Sequence, residues 1–136
     1  MVNFRVISEY SGHPDFDGTA QKIASGPLYE LSRVQSLSST GDGVVLWTRK
    51  CNQDVMALGW NVDDVADLIR DLKTANFRDS EWCENGKNHW AACDSYSIVR
   101  SEWVPHANRY YSYEYFLKFA ISVAGSVVLT VSCHLS

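Results

Sequence analysis

The side chains best suited to move a proton beside a charged oxygen stand in the last fifth of this sequence. Histidine as a residue type titrates near neutrality and lysine carries a fixed positive charge, and the two stand here as His134 and Lys118. Together they supply the minimum needed to activate a ribose 2′-hydroxyl and to offset negative charge on a phosphorane. Alternation along the two strand-like segments that hold them decides whether they can cooperate. In residues 127–134, Leu129, Val131 and Cys133 fall on one side, and Val128, Thr130, Ser132 and His134 on the other. In residues 110–123, Leu117, Phe119 and Ile121 form the apolar set, leaving Glu114, Phe116, Lys118 and Ser122 opposite. With the apolar sets turned to a core, His134 and Lys118 share the outer face. The plainer reading of His134 is an exposed side chain near the C-terminus.

Arg109 heads a dense aromatic run of Tyr110, Tyr111, Tyr113 and Tyr115. Such a strand can stack bases and place a phenol or guanidinium against phosphate, so Arg109 and Tyr113, with Lys87, are candidate RNA contacts. Alternation also puts Tyr111, Tyr113 and Tyr115 together on the apolar side, where they would pack in the core with hydroxyls at the rim. A bulge would reverse part of that assignment.

The four cysteines, 51, 83, 93 and 133, form no C-x-x-C pair. Cys83, His89 and Cys93 could hold zinc with Cys133 or His134 as fourth ligand, but their spacing matches no common zinc site. Free thiols and no metal are expected. The sequence has no P-loop, no G-x-G-x-x-G, no G-x-S-x-G and no H-E-x-x-H, so no nucleotide or other cofactor is expected.

These residues must be positioned by helices that come first and strands that follow. Asn3 to Tyr10 reads as a short strand, and residues 11–18 are turn chemistry, so residues 1–26 form an N-terminal extension. Pro27 is placed to open a helix over residues 27–39, with Leu28, Leu31, Val34 and Leu37 on one face. Residues 44–47 read as a strand. Residues 48–58 read as a helix stopped by Gly59, and Asn61 caps a third helix whose apolar face is Val62, Val65, Ile69 and Leu72. Its Asp63, Asp64, Asp67 and Asp71 read as a solvated face. Residues 89–99, 110–123 and 127–134 read as strands, with residues 100–109 a loop and Ala124-Gly125-Ser126 a tight hairpin. The expectation is an α+β domain over residues 27–136, with N-terminal helices packed on an antiparallel β-sheet.

Composition bounds the rest. At 136 residues, 46% apolar and 21% charged, the chain suits one globular domain. The longest uncharged stretch, Phe119 to Leu135, is too short and too polar to span a bilayer. Arg5 and Glu9 interrupt the first ten residues, so no secretory leader is expected and cytoplasmic residence with reduced thiols is. The net charge of −4 weighs against a nucleic-acid partner, but its distribution is uneven. Residues 1–84 hold 8 basic and 13 acidic side chains, whereas residues 85–136 hold 4 basic, 3 acidic and three of the four histidines.

The ordered blocks Leu31-Ser32-x-Val34, Thr48-Arg49, Ala57-Leu58-Gly59, Asn76-Phe77-x-x-Ser80, Asp94-x-Tyr96, Leu117-Lys118 and Val128-Leu129-x-Val131-Ser132 resemble the MqsR family of mRNA interferase toxins. The resemblance covers residues 28–134 in order. It implies a RelE-like fold and metal-independent, ribosome-independent cleavage of single-stranded mRNA at GC-containing triplets, held in check by a cognate antitoxin. His134 matches the family lysine of S-F-K, and Lys118 that of Y-L-K. Asp79 aligns with the lysine of D-F-Y-K-S, and adjacent Arg78 can supply its charge. Phe116 aligns with the family tyrosine, Tyr115 standing one place off, and Cys93 with the family glutamine. The roles so implied are His134 as general base or acid, Lys118 and Arg78 as holders of the scissile phosphate, and Tyr115 or Arg109 in support. The alternative is a homologue that keeps the fold and acts as a protein-binding module.

Overall fold

A computed structural model describes residues 4–14 and 21–136. The described residues form an α+β fold of three helices against a curled, mixed β-sheet. The strands are β1 (Arg5–Val6), β2 (Val44–Leu46), β3 (Phe77–Glu84), β4 (His89–Val104), β5 (Arg109–Ile121) and β6 (Val128–Leu135). The helices are α1 (Leu31–Leu37), α2 (Arg49–Ala57) and α3 (Val62–Asp71). No helix among the described residues is long and apolar enough to cross a membrane. Two expectations change. The sheet is not purely antiparallel, because β1 runs parallel to β4 and β2 parallel to β6. Nor do the helices form an N-terminal block: β1 precedes them and β2 stands between the first two. Residues 15–18 of the expected turn lie outside the described residues, as does Asn3.

Each helix has a local cause. Thr48 caps α2 by accepting from the Cys51 amide at 3.0 Å. Gly59, at φ +74°, closes it with a Schellman pair: Trp60 N–H bonds the Val55 carbonyl and Gly59 N–H the Met56 carbonyl. Asn61 and Asp64 form a reciprocal capping box on α3. Val65, Ala66, Leu68 and Ile69 of α3 are buried, each large aliphatic contributing about 1.5–3 kcal/mol. Its acidic face is engaged rather than merely solvated, since Asp63 accepts from Gly41 N–H at 3.0 Å and Asp71 pairs with Arg100 at 3.3 Å.

The first helix starts four residues later than expected. Leu28 and Tyr29 lie outside the helix, and their amides donate to the buried carboxylate of Asp94 at 3.0 and 3.1 Å. Ser80 Oγ donates to the same carboxylate at 2.6 Å. Burial lifts the Asp94 pKa above the ordinary carboxylate value, against these three donors. Docking onto Asp94, not helix propensity, decides the conformation of residues 27–29.

The residues from 100 to 104 are strand rather than loop, so β4 and β5 form one long hairpin closed by a turn at residues 105–108. β3 is an added strand at the edge of β4. The segment at residues 21–23 pairs with it in turn through Ile23 N–H to Ser80 and Trp82 N–H to Gln21. One sheet face packs on the helices. There Tyr96 stacks on Phe119 at 5.3 Å, with Leu117, Ile121, Val128 and Cys133 buried around them.

Candidate functional site

Directly opposed residues of an antiparallel ladder share a face, so the register places the candidates. Asp79, Glu81 and Cys83 oppose Ser95, Cys93 and Ala91. Ser95 and Ser97 oppose Lys118 and Phe116, which in turn oppose Ser132 and His134. All stand on the face opposite the one that carries Tyr96, Leu117, Phe119 and Cys133. His134 and Lys118 therefore share the outer face. The alternation expected for β6 does not persist along it: Lys118 opposes Ser132 while Phe119 opposes Thr130, which makes Val131 an extra residue. Val128 and Thr130 are thereby turned into the core, and only Ser132 and His134 of the expected outer set remain outside with Lys118.

Phe116 is the floor of this group. The imidazole of His134 stacks on its ring at 5.4 Å and 30°, and Lys118 Nζ lies 5.7 Å from its centroid. His134 Nδ1 sits 2.8 Å from the Leu135 carbonyl, which can only accept. As a hydrogen bond that contact requires a proton on Nδ1, and in the neutral ring the lone pair is then on Nε2. Arg78 is the extra residue of β3, and its Nη1 donates to Ser97 Oγ at 3.3 Å. Since Ser97 opposes Phe116 and Phe116 opposes His134, the Arg78 and His134 ends of the row are separated by two strand spacings, about 10 Å.

Lys118 is not a free cation. Its side chain is only 15% exposed and pairs directly with Glu81. Lys22 joins the same carboxylates, at 2.6 Å from Asp79 and 3.4 Å from Glu81, and Ser95 Oγ donates to Asp79 at 2.5 Å. Burial works against the Lys118 charge, but the Cys83 sulfur and Glu81 outweigh it and hold its pKa above the ordinary lysine value. The Lys22 contact, then Ser95, depresses the Asp79 carboxyl. Lys22, Asp79, Glu81 and Phe116 were not singled out by sequence reasoning as site residues in their own right. For Asp79 and Glu81 the signal is the period-2 polar alternation Asp79-x-Glu81-x-Cys83, which marks a strand face; Lys22 and Phe116 stand outside it.

Other candidates lie elsewhere. Tyr115 is on the helix face, opposite Ile98. No bulge in β5 turns it over, because the irregularity beside this strand is on β6 at Val131. Its hydroxyl donates to Glu102 at 2.7 Å, its ring lies 5.1 Å from Trp60, and the Arg100 guanidinium sits 5.3 Å away. Burial, then Glu102, pushes the Tyr115 pKa up. Tyr113 joins this cluster, its ring 6.5 Å from that of Tyr115, and Arg109 caps Tyr111 at 4.4 Å near the hairpin tip. Lys87 belongs to the β3–β4 turn at the opposite end of the sheet from that tip. The structure thus places His134, Lys118 and Arg78 on one face, with Arg78 about 10 Å from His134, and Tyr115, Tyr113, Arg109 and Lys87 elsewhere. Among the described residues no three Cys, His, Asp or Glu side chains converge as metal ligands would, Cys83, His89 and Cys93 included.

No family model matches the sequence, and no curated protein matches it.

Proposed function

We propose that the chain is a toxin-type, metal-independent endoribonuclease of RelE/MqsR-like fold that cleaves single-stranded mRNA and is neutralised by a cognate antitoxin. The observation that carries this reading is the row Arg78, Ser97, Phe116, His134 with Lys118 beside it, on the sheet face turned away from the helices. In the reaction the ribose 2′-oxygen attacks phosphorus and the bond to the 5′-oxygen breaks, leaving a cyclic phosphate and a 5′-hydroxyl. The 2′-hydroxyl loses one proton and the leaving oxygen gains one, so a single imidazole can take the first and return it. His134, with Nε2 open, has that role. Arg78 and Lys118 offset the phosphorane charge, and Phe116 gives a base or the ribose an apolar floor.

The trial is incubation of the purified protein with mRNA in EDTA, beside His134→Ala. The expected result is cleavage by the wild type and a loss of about 10²–10⁴-fold in the variant. No cleavage by the wild type, or equal cleavage by the variant, sinks the proposal. A second reading, a protein-binding module that keeps the fold without the activity, draws on the pairing of Lys118 with Glu81, which reduces the positive charge offered to phosphate. Stable capture of one protein partner, with no cleavage and no salt-dependent RNA binding, is the outcome that favours it.

A further inference from the structure

We infer that Cys83 is a peroxide-reactive thiol and Cys93 its resolving partner, a redox site on the sheet face that also carries Lys118. All four cysteines are free thiols, but they are not equivalent. Cys51 and Cys133 are buried in the helix-side core, and burial pushes each up to about 12. Cys83 is only partly buried, so an oxidant can reach it, whereas Cys93 is fully enclosed.

The register brings the second pair together. Cys83 opposes Ala91 and Glu81 opposes Cys93, so the two cysteines are diagonal neighbours on adjacent strands and on one face. The Cys93 thiol donates to the carbonyl of Ala91, the residue directly across from Cys83, at 3.5 Å. The neighbouring Cys93 thiol first, then the Lys118 and Lys22 ammonium groups, working against burial and Glu81, draw the Cys83 pKa below the ordinary thiol value. Burial first, then the Cys83 sulfur, holds Cys93 far above it. The pair thus has the asymmetry of a nucleophilic thiolate with a protonated partner in reserve.

The chemistry balances with hydrogen peroxide as the oxidant. The Cys83 thiolate attacks one peroxide oxygen, the O–O bond breaks, and the departing hydroxide is protonated by solvent, leaving a sulfenic acid. The Cys93 sulfur then attacks that sulfur, and its proton leaves with the sulfenic hydroxyl as water. Two thiols are oxidised by two electrons and the peroxide is reduced. Diagonal neighbours stand about 7–8 Å apart, just beyond the usual disulfide span, so the second step draws β3 along β4. Cys83 stands one residue from the C-terminal end of β3, beside the turn of residues 85–88, where the least of the β3–β4 ladder has to move.

The test is peptide mapping of the native protein after peroxide, with free thiols alkylated. The expected product is a Cys83–Cys93 disulfide, with Cys51 and Cys133 still reduced. Without oxidant, Cys83 should be alkylated about tenfold or more faster than Cys51 and Cys133 at neutral pH. In Cys93→Ser, Cys83 should accumulate as a sulfenic acid that dimedone traps; in Cys83→Ser, Cys93 should stay reduced. Oxidation of Cys51 or Cys133 as fast as Cys83, or a Cys83 that is neither alkylated nor oxidised ahead of them, overturns the proposal. Both readouts in the wild-type chain stand even if a variant fails to fold.

Discussion

The Lys118 ammonium pairs with the Glu81 carboxylate across β4, from β5 to β3, on the same face as His134. A cation so engaged reaches a phosphate only by sharing or losing that partner. Glu81→Gln removes the competing charge and keeps the shape. The expected outcome is several-fold tighter binding of labelled single-stranded RNA at low salt, with log affinity falling about 0.7 more steeply against log salt. Fluorescence anisotropy across a salt series reads both. Unchanged affinity and slope would mean that Lys118 does not meet phosphate.

Asp94 ties the chain before α1 to the sheet, 66 residues away along the sequence. Its three donors, Leu28 N–H, Tyr29 N–H and Ser80 Oγ–H, lose their acceptor in Asp94→Ala. The expected cost is about 3 kcal/mol, read from the midpoint of urea unfolding. Asp94→Asn keeps one carbonyl oxygen and should cost less, about 1–2 kcal/mol. Equal stability of the alanine variant and the wild type would show that the anchor holds nothing.

Legibility followed the range of the cause. The third helix could be read because Asn61, Asp64 and the Val65-to-Ile69 face lie within ten residues of one another. The non-helical backbone of Leu28 and Tyr29 could not, since its partner is Asp94. β3 was missed because Arg78, Asp79, Glu81 and Glu84 make it look like a polar loop, until Lys22 and Lys118 arrive to neutralise its outer face. At the candidate site, the common face of His134 and Lys118 followed from alternation, yet Val131 interrupts that alternation in between. A bulge has no signature in a run of apolar residues. The order Val128-Leu129-Thr130-Val131 reads equally well in either register, and only the pairing with β5 selects one.

Asp79 should give stability a distinct acid limb. Lys22, then Ser95, holds its carboxyl below the ordinary value of 3.8. The folded form therefore binds fewer protons than the unfolded form in the window below that value. The stabilisation is present above pH 3.8 and is lost as pH falls through the depressed folded value. Asp94 acts in the opposite sense, because its raised pKa makes the folded form bind the proton first as pH falls. Urea midpoints measured at successive pH values should therefore fall less steeply below pH 3.8 in Asp79→Asn than in the wild type. Parallel curves would place Asp79 outside the acid limb. The effect is small at high salt, since the Asp79 side chain is 45% exposed and its partner 61%.

Thr130 offers a stabilising change. The extra residue Val131 turns Thr130 into the core opposite Phe119, fully buried, where its hydroxyl has no hydrogen-bond partner among the described residues. Its backbone is well used, with the carbonyl accepting from Trp47 N–H at 2.8 Å. Thr130→Val replaces the hydroxyl by a methyl of similar size and leaves the backbone bonds alone. Removing a desolvated, unpaired hydroxyl should raise stability by about 1 kcal/mol and Tm by about 3 °C. Calorimetry of the two proteins at neutral pH measures the difference. A loss of 1 kcal/mol or more would show that the hydroxyl does find an acceptor, and would assign Thr130 to the opposite face, as simple alternation along β6 requires. The sign of this one substitution therefore tests the bulge at Val131, which turns Thr130 inward while Ser132 and His134 stay on the outer face with Lys118.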